Sequence, residues 1–186
     1  MRALQIFLFV ATALFLSAPL LPGTLSTGTS YSISFVDIDR KKLSTADGHV
    51  TIVVLTTAAD HEKAGIVGDR VPNFCLGNPD YRMITVVHFT GRHMAIGRRI
   101  ATAFIRRRVR EEAKRLQSRY DAHKLSRDAQ RDVFVVTDFN GTTASQLGET
   151  AGAKEFRVFV FGRTGELLAQ WQGVPTADEL AAAVKQ

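Results

Sequence analysis

Three apolar runs set the limits on how this chain can fold. They are TIVVLTT from Thr51, RMITVVHF from Arg82 and DVFVVTD from Asp132. Continuous runs rich in β-branched residues and bounded by turn residues are typical of strands that are covered on both faces. Helical sequence separates the runs, with a short segment after the first and a long one after the second. This alternation predicts an α/β fold with a mostly parallel central sheet and helices on both of its faces.

Other segments complete the predicted order. The residues from Ile96 to about Lys124 have apolar positions three and four apart and no proline, which predicts one long amphipathic helix. FRVFVFGRTGELLAQWQG, from Phe156, predicts an antiparallel C-terminal hairpin. SISFVDIDRKKLSTADGHV predicts a hairpin or edge strand before the first buried strand. TADELAAAVKQ predicts a last helix with Thr176 as its N-cap.

The first thirty residues predict export. Arg2 precedes a nearly uninterrupted apolar run from Ala3 to Leu21, as in a secretory signal. A run of about 20 residues can also span a bilayer, so a cleaved signal peptide and a retained membrane anchor both remain open. We therefore expect residues 1–30 to be a leader and residues 31–186 to be a single domain, periplasmic or anchored at the extracytoplasmic face of a membrane.

Cysteine content restricts the redox chemistry. Cys75 is the only cysteine of the chain, so neither an intrachain disulfide nor a catalytic dithiol can form. The preferred interpretation is a thiol buried as a small hydrophobic side chain. The alternative is an exposed thiol that is available to another molecule or to a metal.

Four stretches in their order resemble the thioredoxin fold, and within it the membrane-tethered thioredoxin-like reductases and the alkyl-hydroperoxide-reductase-type peroxiredoxins. They are DIDRKKLS, TIVVLTTAADHEK, VFVVTDFNG and FRVFVFGRTGELLAQWQG, and the likeness covers roughly residues 32–184. Asp138, Gly141, Gly165 and Gly173 stand in matching places, whereas Arg40 stands where glycine is usual. The resemblance implies a three-layer sandwich whose mostly parallel sheet ends in an antiparallel hairpin.

The redox motif of that group is absent. In the resemblance, the reductase C-x-x-C falls on Asp60 to Lys63. A peroxiredoxin alignment makes Thr57 the active-site threonine and puts Asp60 in place of the peroxidatic cysteine. The cis-proline that faces the dithiol falls near Phe156. The resemblance therefore implies the architecture of a redox protein without its dithiol or peroxidatic thiol.

Asp60 has two interpretations. Thr57 and Asp60 fit a capping box in which the hydroxyl and the carboxylate accept free backbone N–H groups at the helix start. The functional alternative makes Asp60, His61 and Glu62 acid-base groups or metal ligands. Adjacent helix positions point to different faces, so these three side chains are not expected to meet at one ion.

A second candidate metal set follows from the resemblance, because some extracytoplasmic thioredoxin-fold proteins resemble copper-delivery factors. Its members are Cys75, His88, His93 and Met94, which supply soft and borderline ligands. The paired cysteines of such a factor are missing, and the spacing fixes no common site. We expect no cofactor.

The long helix has a strongly basic face at Arg106, Arg107, Arg108 and Arg110, on a chain with a net charge of +6. This face is either solvated or attracted to an anionic membrane surface. The predicted export makes nucleic-acid binding unexpected.

Three functions therefore remain. The first is a non-catalytic binding or assembly module with a protein partner. The second is a single-cysteine thiol oxidoreductase or peroxidase that uses Cys75, and the third is a copper carrier.

Overall fold

The computed structural model describes residues 25–89, 95–150 and 155–186, and of residues 95 and 96 the backbone alone. The helices are α1 (His61–Arg70), α2 (Ala95–Ala122), α3 (Thr142–Gln146) and α4 (Ala177–Val184). The strands are β1 (Ser34–Val36), β2 (Lys42–Ser44), β3 (Val50–Thr57), β4 (Tyr81–His88), β5 (Phe134–Asp138), β6 (Arg157–Phe161) and β7 (Leu167–Gln172).

The central sheet has five strands in the order β5-β4-β3-β6-β7. Strands β3, β4 and β5 pair in parallel, whereas β6 pairs antiparallel with both β3 and β7. Four strands therefore point the same way and β6 alone is reversed, which confirms the predicted fold class. Strand β3 lies at the centre, and seven of its eight residues are buried. Its continuous apolar sequence is what a strand with helices on both sides requires.

Side chains of β3 alternate between two hydrophobic layers. Val53 and Leu55 pack in the layer that contains α3, the β1–β2 hairpin and Leu25. Ile52 and Val54 pack in the opposite layer, with residues of α1 and α4. Alternation along a strand assigns successive residues to opposite faces, so this one strand anchors both layers.

The predicted long helix is confirmed as α2. Ile105, Val109, Ala113 and Tyr120 form its buried stripe. Ile105 and Val109 pack in one cluster with Val87, near the end of β4. Residues 97–104, before Ile105, include none that is buried. The first ten residues of α2, about 15 Å of helix at 1.5 Å per residue, therefore add no described side chain to the buried core.

Two observations concern the ends of the chain. The predicted N-cap is confirmed, since Thr176 and Glu179 form a reciprocal capping box. Near the other end, Leu25 is buried and the Gly28 N–H donates to the Leu167 carbonyl, so residues 25–30 pack on the domain. Most of the predicted leader, residues 1–24, lies outside the described residues. Within the described ranges, no helix combines the length and apolar character needed to cross a bilayer.

Candidate functional site

An ion pair occupies the start of α1, where the resemblance places the first thiol of the redox motif. Asp60 is the N-cap residue of α1, and its carboxylate lies 2.8 Å from Lys63 Nζ. Thr57 Oγ1 donates to the same carboxylate at 3.3 Å. The hydrogen bond to Lys63 is the largest cause that holds the pKa of Asp60 below its ordinary value. Thr57, Asp60 and Lys63 thus form one cluster. In it the Asp60 carboxylate pairs with the Lys63 ammonium and accepts the Thr57 hydroxyl.

Asp60 is at the predicted N-cap position, but the prediction that its side chain caps the helix is wrong. The Asp60 side chain accepts no backbone N–H of α1. Its backbone angles, φ −98° and ψ 17°, lie outside the extended region from which a cap side chain usually folds back over the helix end. The nearby ammonium of Lys63 takes the carboxylate instead.

Lys63 also lies close to Phe156, near which the resemblance places the cis-proline. Its Nζ lies 5.9 Å from the centre of the buried Phe156 ring, within the range of a cation–π contact. The described residues contain no cis peptide bond. The structure therefore brings Lys63 close to Phe156, as the resemblance implies for the redox motif and the cis-proline. The residues at both positions cannot exchange disulfides.

A second polar cluster lies where the three parallel strands end. Thr57, His88 and Asp138 are partners in register across β3, β4 and β5. His88 is 7% exposed and Asp138 is 2% exposed. Asp138 Oδ2 accepts the Ala144 N–H of α3 at 2.8 Å and lies 3.4 Å from His88 Nδ1. Within the described part of the chain, His88 Nδ1 and Asp138 Oδ1 accept or donate no hydrogen bond.

Sequence reasoning missed this cluster, although its signal was present. His88 and Asp138 both stand at or next to the end of an apolar run. Parallel strands bring such positions to one edge of the sheet, where many α/β proteins bind ligands. Asp138 already accepts a backbone N–H at the start of α3, so its position alone does not identify a ligand site.

Cys75 is buried, as the preferred interpretation has it. It ends a short 3-10 helix, Asn73–Cys75, and packs in the hydrophobic layer of α1 and α4 at 6% exposure. Loss of hydration raises the pKa of its thiol to about 11. It follows the C-terminus of α1, whereas Asp60 precedes the N-terminus, so the ten residues of α1, about 15 Å, separate them in the chain direction.

The comparisons with known proteins identify the architecture. No protein-family model matches the chain, and no curated protein sequence does so either. The protein assigned as thiol:disulfide interchange protein DsbE of Chlorobium tepidum is 14% identical over 87% of this chain and 99% of its own, with a TM-score of 0.51. StoA of Bacillus subtilis is 14% identical over 84% of this chain and 98% of its own, with a TM-score of 0.50. The fold is thioredoxin-like.

Two of the predicted copper ligands, Cys75 and His88, lie among the described residues, and the thioredoxin-like fold keeps them apart. Cys75 precedes β4 and His88 ends it, so the eight residues of β4, about 25 Å at 3.3 Å per residue, lie between them. His93 and Met94 lie outside the described residues. Among the residues that the structure covers, no group of three or more histidine, cysteine, aspartate or glutamate side chains could hold a metal ion.

An open groove runs between α1 and α2 on one face of the thioredoxin-like sheet. Its volume is about 510 Å³, within the roughly 300–1,000 Å³ common for binding sites. Glu112 of α2 contributes to its wall, and burial raises the pKa of this carboxyl group while Arg119 opposes the increase. The floor consists of side chains from β4, β5 and the residue before β5, namely Met83, Thr85, Val87, Val133 and Val135.

The predicted basic face of α2 is exposed. Arg107 and Arg108 both donate to Glu111, at 3.2 and 3.1 Å. Arg106 donates to the Ile38 carbonyl at 3.1 Å. Arg110 has no hydrogen-bond or ion-pair partner among the described residues. Two arginines share one carboxylate, so the surface keeps an excess of positive charge.

Proposed function

We propose that this chain is an extracytoplasmic binding module with a thioredoxin-like fold and no thiol redox chemistry, whose partner is a polypeptide. The observation that carries the proposal is the Asp60–Lys63 ion pair, which stands where a reactive thiol would use the positive end of α1. A carboxylate can occupy that end of a helix but cannot attack a disulfide or reduce a peroxide. The apolar N-terminal run supports export.

The remaining thiol is unsuited to the same chemistry. A thiolate is the reacting species, and burial raises the pKa of Cys75 to about 11. At neutral pH only about one molecule in ten thousand would carry the thiolate, by the difference between the pH and that pKa. The sequence also offers no second cysteine to resolve a mixed disulfide.

We place the binding site in the groove between α1 and α2. Its floor is largely apolar, while its walls carry Glu62 and Arg108, charges of both signs. Ile66, which is 42% exposed, adds an apolar side chain to the α1 wall. An apolar floor with a mixed polar rim suits a polypeptide segment that inserts apolar side chains and pairs its own charges at the rim.

A photo-reactive amino acid at Ile66 tests the site. We expect irradiation of cells that naturally make the protein to attach one defined polypeptide at this position, because the side chain lines the groove. The adduct is identified by mass spectrometry.

Val36 is the matched control, since it is an exposed β-branched residue on β1, away from the groove, with 57% exposure. The same photo-reactive group at Val36 should give no such adduct. Equal adducts at both positions, or none at Ile66, would contradict a binding site in this groove.

A further inference from the structure

We propose that the exposed start of α2 binds an anionic lipid bilayer. In this arrangement Ile100 and Phe104 enter the boundary between headgroups and acyl chains, and the surrounding arginines contact headgroup phosphates. The inference concerns a surface on the α2 start. Phe104 also lines the edge of the groove between α1 and α2, whereas Ile100 lies outside that lining. The vesicle test below contains no polypeptide ligand, so its result is distinguishable from that of the groove test.

The shape of the region is the first support. Residues 95–104, here called the α2 overhang, precede Ile105, the first buried residue of the helix among the side chains described from residue 97 onward. Arg98 lies 5.6 Å from the centre of the Phe139 ring and links the overhang to the end of β5. The overhang is therefore an exposed helical end that stays in contact with the domain.

The overhang exposes large apolar side chains. Ile100 is 67% exposed and Phe104 is 45% exposed. They are four residues apart, so they lie on one side of the helix, one turn from each other. The buried stripe through Ile105 and Val109 lies on another side. Ile100 therefore contributes no buried side chain to the described part of the domain, and its exposure favours contact with an external apolar phase.

The charge around this apolar patch is mainly positive, although Glu111 at its edge pairs with Arg107 and Arg108. Six arginines and no acidic residue lie between Ala95 and Arg110. Arg107 follows Phe104 by three residues and is on the same side of the helix, where its side chain is 75% exposed. Apolar residues flanked by long basic side chains are typical of a helix that lies in a membrane interface.

The same charges favour a bilayer over the two other candidate occupants. A second copy in a two-fold contact would face these arginines with the same arginines, and like charges repel. An acidic protein would satisfy the arginines, but protein interfaces usually hold an exposed aromatic residue in a shaped pocket. A fluid anionic surface satisfies the arginines and adapts to an exposed helical end.

The test uses a fluorescent reporter in the overhang of the full chain. Phe104→Trp is made together with Trp171→Phe, so that the reporter is the only tryptophan. We expect vesicles of phosphatidylcholine and phosphatidylglycerol in equal parts to shift its emission to the blue and protect it from acrylamide. Vesicles of phosphatidylcholine alone should do neither. A local reporter is needed because the apolar N-terminal run can itself bind vesicles.

Charge variants measure how much the arginines contribute to vesicle binding. Arg106→Gln, Arg107→Gln and Arg110→Gln together should weaken the vesicle response about 100-fold, since each arginine near an anionic surface contributes about fivefold. The matched control removes three exposed cations elsewhere, with Lys42→Gln, Lys114→Gln and Arg131→Gln, and should keep most of the response. A tryptophan at Val36, again with Trp171→Phe, should report no protection.

Three results would overturn the proposal. The first is a reporter that stays exposed with anionic vesicles, and the second is an equal response to neutral vesicles. The third is a blue shift that depends on protein concentration without any vesicles, which would assign the overhang to contact between copies of the chain.

Discussion

A chain with Asp60→Cys, Lys63→Cys and Cys75→Ser is expected to form an intramolecular disulfide at the start of α1. Residues three apart at a helix start have Cα atoms about 5 Å apart, which suits a disulfide. Oxidation should consume both thiols, as measured by thiol titration and by the mass of the intact protein. In the reduced form, the helix terminus should stabilise the thiolate at position 60 and lower its pKa. Alkylation below neutral pH reports that change.

The control is a pair with the same spacing inside the helix, Ile66→Cys with Asp69→Cys, again with Cys75→Ser. The positive end of the helix does not act on these thiols, so the Asp60→Cys pair should be alkylated about tenfold faster at the same pH. Equal rates in the two chains would mean that the start of α1 no longer offers the environment that thioredoxin-like chemistry needs.

Arg157→Ala is expected to destabilise the protein by about 3 to 5 kcal/mol, because it leaves the Glu149 carboxylate buried without its cation. Arg157 Nη1 lies 2.7 Å from Glu149 Oε1, with 12% and 7% of the two side chains exposed. The guanidinium also donates to Gln170 Oε1 at 2.7 Å. Denaturant unfolding should show a lower midpoint with an unchanged slope.

The chain supplies a matched pair at the surface. Arg163 lies 2.7 Å from Asp80, but both side chains are 51% exposed. Water compensates the loss of such a pair, so Arg163→Ala should change the midpoint little. An equal loss of stability in the two variants would contradict a stabilising effect of burial on the Glu149–Arg157 pair.

Most of the fold could be predicted from the sequence. The apolar run from Thr51 to Thr57 is short, rich in β-branched residues and bounded by turn residues, which predicts a strand covered on both faces. The three- and four-residue spacing through Ile105, Val109 and Ala113 could only place one side of α2 against the sheet. These patterns are local, and burial is their direct cause.

The polar contacts could not be predicted in the same way. Asp60 stands at the predicted N-cap, but the choice between a backbone N–H and the Lys63 ammonium depends on backbone angles that the sequence does not express. His88 meets Asp138 only through the register of two strands, 50 positions apart in the chain. The geometry of both clusters is therefore visible only in the structure, whereas the absence of a dithiol follows from the count of cysteines in the sequence.

The most direct test of the account is thiol turnover by the intact protein. Disulfide reduction and hydrogen peroxide consumption are measured for the natural chain and for Cys75→Ser, with thioredoxin as a positive control for reduction. We expect both chains to match the buffer background at neutral pH. Since burial raises the pKa of Cys75 to about 11, any slow reaction of its thiol should increase about tenfold per pH unit below that value. Turnover at neutral pH by the natural chain that Cys75→Ser abolishes would contradict the account.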